Sequence, residues 1–109
     1  MKIRRALLVV AGGLWASVAG AWHANVTNIL HHWNYVAVYL TPDPGAGSCS
    51  YGGPYLLLVD DTTASKQRLA ILMQAIATGQ KVTGYDDGCS TGIWGQSRPK
   101  IERLMLNAN

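Results

Sequence analysis

Val26, Ile29, Leu30, Tyr35, Val36, Val38, Tyr39 and Leu40 crowd the stretch from Asn25 to Thr41 with the β-branched, aromatic and aliphatic residues that suit a pleated surface. The stretch is too long for one strand, and His32-Trp33-Asn34 is its natural bend. A strand near 25 to 31 and a second near 35 to 41 are therefore predicted. In the second, Val36, Val38 and Leu40 share one face and Tyr35, Ala37 and Tyr39 the other, so the aliphatic face is assigned to the core. Residues 42 to 54 hold three of the four prolines and form a long loop. Tyr55 to Val59 is a short buried strand that stops at Asp60 and Asp61.

The periodicity then changes. Leu69, Leu72, Met73 and Ile76 recur at helical spacing and predict an amphipathic helix over 63 to 78 with those four toward the core. Asp61, Thr62 or Thr63 can cap its start, and Gly79 can turn left-handed at its end. The opposite face carries Gln67, Ile71, Gln74 and Thr78. It is short of charge, and Ile71 has no obvious core to enter. That face is the candidate surface for self-association into a homo-oligomer. A fourth strand covers 81 to 85, Asp86-Asp87-Gly88 turns the chain, and a last strand is expected near 101 to 107.

Three strands, a helix and two strands in one small domain give the order of an OB-fold, a five-stranded barrel with its helix between strands 3 and 4. An open α+β sheet with the helix on one face is the alternative.

The first 21 residues belong to a different class. Lys2, Arg4 and Arg5 precede the apolar run Ala6 to Val18 and the small residues Ala19-Gly20-Ala21, the three-part pattern of a cleavable secretory signal peptide. The run is shorter than the roughly 20 residues a spanning helix needs. One domain, residues 22 to 109, is expected to remain, secreted or periplasmic and with no membrane span. Of the nine basic residues three lie in the leader, which leaves six against six acidic ones. The basic balance of the whole chain therefore does not indicate a nucleic-acid partner. Aromatic residues 33, 35 and 39 also have no Lys or Arg near them in sequence. Cys49 and Cys89, an even pair in an exported domain, predict a disulfide.

Catalytic chemistry is not indicated. His23, His31 and His32 lack metal-ligand spacing, Asp60-Asp61 and Asp86-Asp87 sit where a helix start and a turn explain them, and no serine-nucleophile element is present. No cofactor motif occurs. Asn25-Val26-Thr27 fits a glycosylation acceptor. Trp33, Asn34, Tyr35, Ser50 and Tyr51 combine flat apolar rings with amides and hydroxyls, the surface that sugars require, and form the candidate glycan site.

The stretch from Tyr55 to Cys89, with the helix exit Ala77-Thr78-Gly79-Gln80-Lys81-Val82, resembles the binding subunits of subtilase and typhoid-type AB5 toxins. It also looks like a wider set of small exported bacterial proteins of unassigned role. The resemblance implies an exported, ring-forming, glycan-recognising OB-fold protein, with a separate exported enzyme subunit as partner. A secreted protein-binding module or inhibitor without glycan affinity is the alternative expectation.

Overall fold

The computed structural model describes residues 21–108; apart from Ala21, the expected leader lies outside them. Seven strands and one helix follow in order: β1 (Ala21–His32), β2 (Tyr35–Thr41), β3 (Tyr55–Leu58), α1 (Thr63–Thr78), β4 (Lys81–Tyr85), β5 (Cys89–Ser90), β6 (Arg98–Pro99) and β7 (Leu104–Leu106).

Five of the strands form one antiparallel sheet in the order β3-β2-β1-β4-β7, and β5 and β6 form a separate pair. β1 is longer than its hydrophobic pattern suggested. Its first half pairs with β4 and its second with β2, and a shift in register between Val26 and Asn28 lets one strand serve both neighbours. The sheet is not a closed barrel. β3 and β7, its two end strands, do not pair; an isolated parallel bridge joins Leu56 of β3 to Lys100 in the segment before β7, and there the Ile101 N–H donates to the Leu56 carbonyl at 2.9 Å.

The last strand is shorter than expected for a physical reason. The Asp87 carboxylate accepts the backbone N–H groups of Glu102 and Arg103, at 3.2 and 2.9 Å, so these donors are spent on a side chain instead of a ladder. Regular pairing resumes at Leu104.

The helix occupies the predicted span. Thr62 Oγ1 accepts from the Ser65 N–H at 3.2 Å, and Gly79, with φ of 76°, closes the other end. Its rotation differs from the expectation. Leu72 and Ala75 are buried with Ser65, and Leu69 and Ile71 pack against the core, while Met73 and Ile76 are 55% and 40% exposed. Ser65 supplies the reason, because its hydroxyl donates to the Leu58 carbonyl at 3.1 Å. That bond turns the line through Ser65 and Leu72 onto the sheet, which brings Ile71 inward and carries Met73 out.

The core lies between this helix and the sheet. Val36 and Val38 face it, as the alternation predicts, beside Trp22, Val26, Tyr55, Leu57, Val82 and Ile101. The other face of β2 is covered as well: Ala37 and Leu56 are fully buried beneath Ile93, with Tyr35 and Tyr39 packed around them. Cys49 and Cys89 are disulfide-bonded with a Cα separation of 5.7 Å, joining the long loop to β5. Among the described residues no helix is long and apolar enough to cross a membrane.

Candidate functional site

β1 and β2 are joined by a two-residue turn, Trp33 and Asn34, between the register partners His32 and Tyr35. The first position of such a turn, when its φ is positive, ordinarily takes glycine. Here it is Trp33, with φ of 59°, and its side chain is 81% exposed. One other non-glycine residue among those described has positive φ, and it is also a tryptophan: Trp94, with φ of 60° and 47% exposure. A bulky residue in this backbone region carries a strain of about 1–3 kcal/mol. In both cases the strain presents an indole to solvent.

The two indoles meet the same imidazole. His32 lies edge-on to Trp33 with ring centroids 6.4 Å apart, and tilted against Trp94 at 6.5 Å. Beyond Trp94 the row continues through Arg98, whose guanidinium carbon lies 5.1 Å from the Trp94 centroid and 5.2 Å from that of Tyr51. Tyr51 is 45% exposed, and its N–H donates to the Ser97 carbonyl at 2.9 Å. Trp33, His32, Trp94, Arg98 and Tyr51 therefore form one aromatic and cationic row across the hairpin turn, the 91–97 loop and the long loop.

Arg98 holds this row together. Its Nε donates to Gln96 Oε1 at 3.2 Å, and its Nη1 donates to the carbonyls of Gly52 and Gly53 at 3.1 and 2.8 Å. With Nη2 also on Gln96, the guanidinium plane is fixed between the two rings and most of its N–H groups are engaged. A cation placed this way fixes the rings; little of it is left to grip a phosphate.

Trp33 and Tyr51 of the expected glycan set thus fall in one row, joined through residues that lay outside that set. Asn34 and Ser50 are exposed near it. The Asn34 carbonyl is spent on the Val59 N–H at 2.7 Å. Tyr35 is half-buried and packs on Ala37, Leu56 and Ile93, so tightly against Gly92 that a Cβ there would overlap its ring. Its ring is packing, with only part of its surface available. His32, Trp94 and Arg98 complete the row. Trp94 and Gln96 carry a sequence signal, an aromatic and an amide in a glycine-rich stretch; Arg98 carries none, because only the fold brings it to Tyr51.

Several other polar and titratable residues have structural employment. Asp60 Oδ1 accepts from the Thr62 hydroxyl at 2.6 Å and from its N–H at 3.0 Å; these bonds, the hydroxyl's foremost, hold the carboxyl down to about 2. Burial raises the Tyr55 phenol to about 12, helped by the Asp43 and Asp86 carboxylates, and its hydroxyl donates to the Gly45 carbonyl at 2.7 Å. His23 Nδ1 lies 2.8 Å from Thr83 Oγ1, and the Asn25 side-chain amide donates to the Gly79 carbonyl at 2.9 Å. Among the described residues no group of three or more His, Cys, Asp or Glu is placed to hold a metal ion. Of the expected oligomer face, Gln67, Gln74 and Thr78 are exposed, and Ile71 is instead half-buried against the core.

Comparison of the chain with known protein families and with curated proteins finds no match.

Proposed function

We propose that this protein is an exported, non-enzymatic binding protein that recognises glycans through the row Trp33, His32, Trp94 and Tyr51. The observation that carries the reading is that both strained non-glycine residues expose an indole, on either side of one imidazole. Strain persists where surrounding structure imposes it, and here it produces a flat, rigid aromatic surface. Sugar C–H faces stack on such rings, while Gln96, Ser50 and Asn34 offer amides and a hydroxyl at its margin. The disulfide and the leader pattern support export to a secreted or periplasmic location.

The strand order β3-β2-β1-β4-β7, with a parallel bridge from β3 to the chain entering β7, supports an OB-type barrel opened along one seam. With the resemblance to AB5 binding subunits, it supports ring assembly and a separate exported enzyme as partner. The exposed surface of α1, with Gln67, Gln74 and Thr78 along one flank and Met73 and Ile76 along the other, is the surface we assign to self-association. Avidity from several weak sites on one ring would then set the useful affinity.

A second reading is favoured by the composition of the row. Trp, Tyr and Arg are the residues enriched at protein-binding hot spots, which suits a secreted module or inhibitor that binds a protein. A glycan array probed with the leader-free, oxidised protein separates the two. Retention that is lost in Trp33→Ala and Trp94→Ala supports the glycan reading. An array without signal, with the protein folded and assembled, removes it.

A further inference from the structure

β3 pairs with β2 along one edge, and strand alternation turns the peptide groups of Leu56 and Leu58 to the other. At that edge the Leu56 carbonyl is met by Ile101 and the Leu58 carbonyl by Ser65. Beyond the Leu56–Lys100 bridge the two segments part, and Arg68 reaches from α1 into the gap, where its Nη1 donates to the Glu102 carbonyl at 3.3 Å. A cleft of about 310 Å³ opens there, lined by Tyr35, Leu56, Leu58, Arg68, Ser90 and Lys100 among others. Arg68 Nε is buried and has no hydrogen-bond partner among the described residues. A buried donor without an acceptor is costly, and such groups call for a partner.

With Nη1 committed, the Nε–Nη2 edge is the side of the guanidinium that can grip a planar anion with two parallel bonds. Lys100 is a second cation on the same cleft, and its Nζ lies 3.3 Å from Glu102 Oε2, both side chains being partly exposed. Two cations and one carboxylate leave a single net positive charge, beside an apolar wall of Tyr35, Leu56 and Leu58.

We propose that this cleft is a second binding site, separate from the aromatic row, and that it takes a small organic carboxylate with an apolar tail. On binding, Arg68 shifts to uncover its Nε–Nη2 edge, and the carboxylate accepts from that edge and lies beside Lys100. The tail covers Leu58 and the open part of the Tyr35 ring. Glu102 competes with the ligand for Lys100. A monoanion matches the net charge of the cleft and its half-apolar lining; an inorganic phosphate brings more charge and nothing for the apolar wall.

The test is titration of the full, oxidised protein with hexanoate, following the side-chain Nε–H resonance of Arg68 by NMR, with hexanol and inorganic phosphate as comparison probes. A saturable shift of that resonance is expected with hexanoate, and much weaker responses with the other two. Arg68→Lys keeps the charge but not the fork and should weaken binding about tenfold or more, the scale of one lost charged hydrogen bond. Glu102→Gln removes the competing carboxylate and should tighten binding several-fold. The proposal is overturned by an unmoved Arg68 resonance at tens of millimolar hexanoate, by equal binding of hexanol or phosphate, or by weaker binding in Glu102→Gln. If Arg68→Lys fails to fold, the wild-type titration and the Glu102→Gln arm still decide.

Discussion

Gly84 and Trp22 face one another across β1 and β4, and a Cβ at Gly84 would overlap the Trp22 indole. The indole fills the space that a side chain would need, and from there it packs edge-on against Tyr55 with ring centroids 5.4 Å apart. Two large rings are thereby buried side by side at one end of the core. Gly84→Ala should cost about 1–3 kcal/mol by overpacking, with the indole or the strand displaced. Chemical denaturation checks the loss, and a midpoint equal to that of the wild type would show that the indole can move aside freely.

The Trp33 turn makes the opposite prediction. Glycine is the ordinary occupant of a positive φ at this position, so Trp33→Gly should relieve about 1 kcal/mol of backbone strain. The greater freedom of glycine in the unfolded chain offsets part of that gain. Stability should therefore be unchanged or raised, while binding through the aromatic row is lost. A variant destabilised by more than 1–2 kcal/mol would instead make the indole a packing element.

The disulfide couples stability to the site. Its two half-cystines are 40 residues apart, and in the chain-entropy model closing a loop of that length contributes about 4 kcal/mol. Cys49 also anchors the loop that carries Tyr51, and Cys89 pairs through Pro99 with the strand that carries Arg98. Cys49→Ser together with Cys89→Ser should lower the denaturation midpoint by an amount equivalent to several kcal/mol and weaken binding beyond what unfolding explains. Binding measured well below the midpoint temperature separates the two effects.

Met73 and Ile76, not Ile71, are the large apolar residues that the helix exposes, on the flank away from Gln67, Gln74 and Thr78. If that face joins copies of the protein, Met73→Glu should raise the monomer fraction in sedimentation at tens of micromolar and leave the monomer's stability nearly unchanged. Ile71→Glu should instead unfold it, because Ile71 packs on the core. A wild-type protein that is monomeric at that concentration would end the assignment.

Local chemistry was the legible part of this sequence. Thr62 and Gly79 bound the helix because capping acts within a few residues, and β2 matches its pattern because alternation is read from neighbours. The rotation of the helix was not legible, since it depends on Ser65 reaching a carbonyl on β3. Nor was the length of β7, since Asp87 takes the N–H groups of Glu102 and Arg103 from a distant turn. Ile93, inside a glycine-rich stretch without periodicity, gave no sign of sealing a second small core. In the candidate site the exposed rings could be named singly, but the row exists only because Arg98 crosses from β6 to the long loop.

That Asp87 contact also sets an acid limit on stability. Its Oδ1 accepts from Arg103 Nε at 2.8 Å, and Arg103 Nη2 pairs with the same oxygen, while the guanidinium lies over Tyr85 at 4.5 Å. Burial alone would push the Asp87 carboxyl up. The bonds from the Arg103 side chain and backbone and from the Glu102 N–H outweigh it, and the net direction is down. A carboxyl whose folded value lies below its unfolded value near 4 contributes its full stability above pH 4 and loses it as pH falls through the folded value. Asp60, lowered to about 2, acts in the same sense. Stability should be level from about pH 7 to 5 and decline below about 4. Asp87→Asn should cost about 1 kcal/mol at neutral pH, a figure reduced for the solvent screening of the exposed Arg103. It should also flatten the decline, so that variant and wild type converge toward pH 2. Denaturation midpoints measured from pH 7 down to 2 test this, and parallel curves for the two proteins would show that Asp87 titrates alike in the folded and unfolded chains.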